Sequence, residues 1–266
     1  MKKKAAGGSE RVRIVSYDGG NPATVSSRII RERMVEIVLN GRPLISVACT
    51  GQHLKELAAG FLKSEGVVEK KGDILAMTTA ADGGRVEIRV AAGKSRGIFG
   101  RRAGRTLASS GARGVVCHAD AERGPKRSIP GGVVLTPRQI LKLMSGLLRS
   151  AVMHEATRGT HCSALATPGR IIVSREDIGR HNTIDMLGGH ALLKDLPLSN
   201  KVILTTGRIS AEIVHKIRVM GAFVIISHSA PTSRAVALAA ELGITLIGYV
   251  RNGKMRVYAH PERIKF

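Results

Sequence analysis

The sequence predicts an α/β protein in two parts, a small α+β unit followed by a larger unit whose sheet is covered by helices on both faces. Short, fully apolar strands carry the second part: "KVILTT" (201–206), "FVIIS" (223–227) and "ITLIGYV" (244–250). They recur at a spacing of about 20 residues with helical patterns between them, which implies a largely parallel sheet buried on both sides. The first part instead shows alternating apolar and polar runs that fold back at glycine turns, the mark of antiparallel hairpins. A chain of 266 residues with 43% hydrophobic content is long and apolar enough for such cores.

The elements follow in order. "MKKKAAGGSE" (1–10) is a basic tail without the apolar stretch of a signal peptide, expected to be disordered. Residues 11–50 read as strands, and "RMVEIVLNGRPLISVAC" turns at Asn40-Gly41. "HLKELAAGFLKSEG" (53–66) puts Leu54, Leu57, Ala58, Phe61 and Leu62 on one helical face and stops at Gly66. "ILAMTTAADGGRVEIRV" (74–90) is a second hairpin turning at Asp82-Gly83-Gly84, and the first unit runs over 11–92.

Residues 93–132 show no periodicity and hold nine Lys/Arg against Asp120 and Glu122. A stretch of this length without pattern reads as a flexible linker or a functional loop. It carries Cys117 at the end of "SSGARGVVC". The second unit, 133–266, opens with a helix. Thr136 is its cap, Pro137 takes the first helical position, and Gln139 completes a capping box. "RIIVS" (170–174) is a strand, and helices at about 210–220 and 233–242 separate the apolar strands.

Charge is the strongest bulk signal. Forty-two Lys and Arg against twenty Asp and Glu give a net +22. That suits a polyanionic ligand, a phosphate-rich cofactor or an acidic partner, and equally a merely soluble surface. Trp is absent and aromatics are 3%, which disfavours nucleic-acid stacking platforms. Three widely spaced cysteines, Cys49, Cys117 and Cys162, argue against a disulfide framework and a cysteine-based zinc site. Without a leader or a spanning apolar run, the expected location is cytoplasmic, with no membrane contact.

In open α/β sheets, ligands bind beyond the carboxyl ends of the strands. Here those ends are "TTGRIS" (205–210), "SHSAPTS" (227–233) and "YVRNGK" (249–254). Taken singly, Ser210, Thr232 and Ser233 read as helix caps. Together the three loops suit an anionic ligand of nucleotide type, held by free N–H groups and arginine. "RGTHCSALA" (158–166) and "SREDIGRHNTID" (174–185) crowd His161, Glu176, Asp177, Arg180, His181 and Asn182, as in a lined cleft. Singly, each His reads as structural. A zinc nucleobase deaminase would need H-x-E and a C-x-x-C, but Ser163 stands two residues after His161 and no C-x-x-C occurs. No Walker loop ending in Gly-Lys-Ser/Thr supports ATP hydrolysis.

"LKELAAGFLKSEGVV" (54–68), "EDIGRHNTID" (176–185), "TTGRISAEIVHK" (205–216) and "SAPTSRAVALAAELGITLIGYVRNGKMRVYAHPERI" (229–264) together resemble the FdhD family, the formate dehydrogenase accessory sulfurtransferases. The resemblance runs in order over roughly residues 30–264 of the sequence. It implies a sulfur carrier that takes persulfide sulfur from a cysteine desulfurase. The sulfur goes to the molybdenum or tungsten bis(molybdopterin guanine dinucleotide) cofactor as cargo, for a formate dehydrogenase-like apoenzyme. It also implies a homodimer, no metal of the carrier's own, and a cytidine-deaminase-like three-layer α/β/α fold for the second unit. The family's cofactor-binding segment falls on Tyr249, Val250, Arg251, Asn252, Gly253 and Lys254. Gly207, Arg208, Arg180 and His181 join it as cofactor-binding candidates.

Persulfide relay needs an accessible thiol whose thiolate is favoured by positive charge. The family places it in the interdomain loop, often as C-x-x-C or after Ser-Gly. This sequence departs there, with Ala112 and Arg113 after Ser110-Gly111, and Cys117 is the nearest thiol. Two readings stay open: Cys117 has taken over as the catalytic thiol, or sulfur transfer is lost and a binding and delivery chaperone remains. Cys162 is an outside candidate at an expected helix start, and Cys49 reads as structural.

Overall fold

The computed structural model describes residues 8–95, 98, 105–107 and 133–266, so Cys117 and most of the basic stretch lie outside the described residues. The chain opens with a two-stranded antiparallel ribbon, β1 (Ser9–Ser16) and β2 (Ala23–Ile30). Next come β3 (Arg33–Leu39) and β4 (Arg42–Cys49), joined through Asn40 at φ 49° and Gly41 at φ 76°. Two successive positive φ values are what a two-residue hairpin turn requires, and Asn-Gly is the pair that adopts them most readily. Helix α1 (Leu54–Ser64) follows, then β5 (Ile74–Thr79) and β6 (Arg85–Val90). Their turn is tied by Asp82 Oδ1, which accepts from Gly84 N at 2.8 Å. With β7 (Arg105–Leu107) these strands form a sheet in the order β5-β6-β3-β4-β7. One face packs on the apolar side of α1.

The second half begins with α2 (Pro137–Ser150) and its capping box. Gln139 N donates to Thr136 Oγ1 at 3.3 Å, and Thr136 N donates back to Gln139 Oε1 at 2.8 Å. A short helix α3 (Val152–Thr157) leads into β8 (His161–Ala166), β9 (Ile171–Asp177) and helix α4 (Arg180–Leu193). Then come β10 (Val202–Thr205), α5 (Ala211–Met220), β11 (Val224–Ser227), α6 (Ser233–Glu241), β12 (Thr245–Arg251) and β13 (Lys254–Ala259).

The strand order is β13-β12-β11-β10-β8-β9. The pairs β10–β11 and β11–β12 are parallel; β10–β8, β8–β9 and β12–β13 are antiparallel. The expectation of a largely parallel sheet therefore holds for its centre only. Burial on both faces makes a strand apolar whichever way it runs, so composition does not report direction. Helix α2 covers one face, where Ile140, Leu143 and Leu147 join Leu204 and Ile226. Helices α4, α5 and α6 cover the other, where Ile184, Ile213 and Ala235 join Ile203 and Ile225.

Helix α4 is buried on nearly every side. Ile184, Leu187 and Ala191 belong to the core of the six-stranded sheet, whereas Met186 and Leu192 belong to the core of the five-stranded one. It is thus the wall between the two sheets and packs directly on α1. At the same seam Lys216 of α5 donates to both oxygens of Asp185 at 2.7 Å, and Ser64 Oγ of α1 donates to Asp185 Oδ1 at 2.7 Å.

Candidate functional site

The parallel strands β10 and β11 end at Thr205 and Ser227, and polar groups stitch the loops beyond them into one ledge. Gly207 N donates to Thr205 Oγ1 at 3.1 Å, and Ser227 Oγ donates to Gly207 O at 2.7 Å. Ser229 N donates to Ser227 Oγ at 2.9 Å, and Tyr249 N donates to Ser229 O at 3.0 Å. The three strand-end loops singled out in the sequence are therefore neighbours. Ser210 and Thr232 do cap helices, accepting from Ile213 N and Ala235 N at 3.4 Å and 3.3 Å. Ser233 is the first residue of α6.

Beside this ledge lies a cavity of about 640 Å³ whose lining includes His154, Arg158, His161, Ile178, Thr206 and His228. Of "SREDIGRHN", Ile178 lines it, and Glu176 fixes the neighbouring start of α3. Glu176 accepts from Met153 N at 3.0 Å, His154 N at 2.8 Å and Thr160 Oγ1 at 3.3 Å, satisfying N–H groups at the start of α3. His154 Nδ1 lies 2.5 Å from Thr160 O. A carbonyl can only accept, so Nδ1 carries the proton shared in this contact.

Cationic groups surround the histidines of the cavity. Burial lowers the His161 pKa, and the charges of Arg180, His154 and Arg208 add to the effect. Burial likewise lowers that of His228, helped by Arg251 and His154. Arg180, Arg208 and Arg251 thus act on the histidines of one cavity. Gly207 lets Arg180 approach, since a Cβ there would lie 2.9 Å from Arg180 Cβ. Among the described residues, no group of three or more His, Cys, Asp or Glu is placed to hold a metal ion.

The other candidates fall in different places. His181 is buried, with Nδ1 3.5 Å from Glu212 Oε1; burial brings its pKa down to about 3. Asp177 is fully buried and accepts from Thr50 N at 2.8 Å, Thr50 Oγ1 at 2.9 Å, Gly179 N at 3.1 Å and Asn182 Nδ2 at 2.7 Å. Asn182 Nδ2 also donates to Ala48 O at 2.8 Å. Asp177 and Asn182 thus clamp the end of β4 to the second sheet, and do not line a cleft. Burial raises the Asp177 pKa even against those four donors.

In the segment 249–254, Val250 is buried in the core of the six-stranded sheet, so only its backbone faces the turn. Asn252 at φ 51° and Gly253 at φ 72° form the hairpin turn between Arg251 and Lys254. Arg251 and Arg256 lie over the Tyr249 ring, with guanidinium carbons 4.9 Å and 4.6 Å from its centroid.

Cys162 lies in β8, an inner strand of the six-stranded sheet next to the edge strand β9, and not at a helix start. It is fully buried, and burial pushes its thiol up to about 12. Cys49, at the end of β4, is equally buried, and its thiol is also raised by burial to about 12. Neither has the accessible, acidified thiol of a sulfur relay. The sequence reading did not single out His154 or His228. A histidine directly after an apolar strand, as in "VIISH", was the available signal for His228.

Comparison with known proteins adds the lineage. The sequence profile of the FdhD/NarQ family matches residues 30–265. The chain is 35% identical over 253 residues to the sulfur carrier protein FdhD of Staphylococcus haemolyticus, covering 95% of each chain. It is 33% identical over 251 residues to the sulfur carrier protein FdhD of Bacillus subtilis, covering 94% of this chain and 95% of the relative. The crystal structure of a protein assigned as a formate dehydrogenase accessory protein, from Desulfotalea psychrophila, superimposes with a TM-score of 0.80 at 25% identity. That superposition covers 97% of this chain and 100% of the other. Among the described residues no helix is long and apolar enough to cross a membrane. With a family profile spanning nearly the whole chain and relatives this similar along their full length, the chain belongs to the FdhD/NarQ family.

Proposed function

We propose that this protein carries sulfur on Cys117. It takes the sulfur from a cysteine desulfurase and passes it to a molybdenum or tungsten bis(molybdopterin guanine dinucleotide) cofactor destined for a formate dehydrogenase-like enzyme. The observation that carries this reading is the burial of Cys49 and Cys162, whose thiols stand near 12. Of the three cysteines, that leaves Cys117. In the loading step the Cys117 thiolate attacks the outer sulfur of the desulfurase persulfide. A new persulfide forms on Cys117, and the desulfurase cysteine leaves as thiolate. Arg113 within "SSGARGVVC" and the arginines that flank that stretch in sequence favour the thiolate electrostatically.

The cargo's guanine dinucleotide arms suit the strand-end ledge. Arg180, Arg208 and Arg251 supply both charge and guanidinium N–H donors for pyrophosphate. The six-stranded layer with helices on both faces supports a cytidine-deaminase-like assignment for 133–266, following 11–92 and the 93–132 segment. The test is mass spectrometry after incubation with a cysteine desulfurase and cysteine. A mass gain of one sulfur atom on Cys117, lost in Cys117→Ala, is the expected result. Unchanged loading of Cys117→Ala removes Cys117 from the mechanism. No loading of the native protein leaves a delivery chaperone for the cofactor.

A further inference from the structure

We propose that the outer edge of β1, with the basic face of its ribbon, is a docking strip for an extended acidic segment of a partner protein, which adds to the ribbon as a third strand. The register makes the edge explicit. Arg31 N donates to Gly8 O at 2.7 Å, and Gly8 and Arg31 are opposite in the ladder that continues as Ser9↔Ile30 to Ser16↔Ala23. In an antiparallel pair, residues alternate between bonding the partner strand and facing away. Even-numbered β1 residues therefore turn their backbone groups toward β2. Arg11, Arg13 and Val15 turn theirs outward.

The same residues put their side chains on one face. Arg11 stands opposite Arg28, Arg13 opposite Ser26 and Val15 opposite Thr24. No acidic residue shares this face; Glu10 is on the other side and pairs with Arg31. Like charges directly opposite are unfavourable unless an anion comes between them. Val15 and Tyr17 are each 71% exposed beyond the arginines. A two-stranded ribbon is marginal alone, whereas a third strand gives independent stability.

The chemistry selects the occupant. Exposed carbonyls of Arg11, Arg13 and Val15 need donors, which a peptide strand supplies and a phosphate backbone does not. A second copy would bring its own arginines against these, in a chain of net charge +22. At the inner end of the strip, Ile30 on the same face packs against Gly159, where a Cβ would lie 2.9 Å from Ile30 Cγ2. Gly159 lines the 640 Å³ cavity. The strand that backs this strip thus reaches the cavity wall.

The test titrates the full-length protein with a fluorescein-labelled peptide of alternating glutamate and valine, followed by anisotropy. The triple variant R11E/R13E/R28E is expected to lose affinity by about tenfold or more. Val15→Pro is expected to lose affinity comparably, since it deletes an outward N–H and leaves the β1–β2 ladder intact. N-methylation of alternate peptide residues is expected to abolish binding. Equal binding of the N-methylated peptide, no effect of Val15→Pro, or tighter binding of a single-stranded RNA of equal charge overturns the proposal. So does ribbon-dependent self-association that R11E/R13E/R28E abolishes. If a variant does not fold, hydrogen exchange on the native protein decides. Peptide-dependent protection of the Arg11, Arg13 and Val15 amides supports the strip, and its absence rejects it.

Discussion

Gly60 of α1 and Gly189 of α4 face each other where the two helices cross. A Cβ on Gly60 would fall 1.7 Å from Asp185 O and 2.8 Å from Gly189 N, and one on Gly189 would fall 1.8 Å from Glu56 O and 2.8 Å from Gly60 N. These obstacles are backbone atoms, which no rotamer change moves aside. In an exposed helix, glycine to alanine gains about 1 kcal/mol. Here Gly60→Ala or Gly189→Ala is expected to lose about 3 kcal/mol or more, because the helices must separate. Urea unfolding measures it. Gly146→Ala is the control, since its Cβ would meet only the Ile171 Cδ1 side-chain end at 3.1 Å.

Lys216→Met removes the cation from a carboxylate held at 5% exposure. Asp185 then keeps Ser64 but loses its charge partner, and about 3 kcal/mol or more of stability goes with it. Lys216→Met with Asp185→Leu recovers most of that loss, because no buried charge is stranded. A double-mutant cycle in denaturant reads both.

His181 sets a pH dependence. Its folded pKa of about 3 lies below the ordinary 6.5, mainly through burial, with Lys216 and Arg180 adding. Between those values the unfolded chain binds a proton that the native state refuses. Stability therefore falls as pH drops from 6.5 toward 3, by a loss on the order of a few kcal/mol. Thermal unfolding across that window, native against His181→Phe, should show a shallower acid decline in the variant.

Cys49 and Cys162 should resist iodoacetamide at pH 8 in the native protein and react once it is unfolded. Peptide mapping of the alkylated protein measures this. Rapid native labelling of Cys162 would reopen it as a sulfur carrier.

Arg208→Gln should weaken binding of guanosine diphosphate by about tenfold, through loss of a charge-assisted phosphate contact. The native protein should lose affinity steeply as salt rises, and the variant less so. Calorimetry at two ionic strengths checks both.

How much of this was legible in the sequence depends on whether the deciding force acts locally. The Asn40-Gly41 turn and the Thr136-Gln139 capping box are local, and both stand as read. So do α5 and α6, each buried along one stripe and less buried on the other. Helix α4 left no such stripe, because apolar neighbours surround it, and its residues read as a polar cleft. Strand β8 is "HCSALA", too small and mixed to announce a central strand. Arg208 and Arg251 followed from the strand-end rule, and Arg180 from the polar density of "SREDIGRHNTID". The histidine wall did not, since His154 is placed by α3 and Glu176 across sequence distance.

Because α4 gives one flank to each sheet, neither sheet keeps a complete core without it. A fragment ending before residue 95 would lack Met186 and Leu192, and a fragment starting at 133 would expose Gly189 and its neighbours where α1 belongs. The two sheets are therefore expected to melt in one transition, which calorimetry would show as a single peak. A destabilising change on either side of the helix is expected to be felt at the strand-end ledge as well.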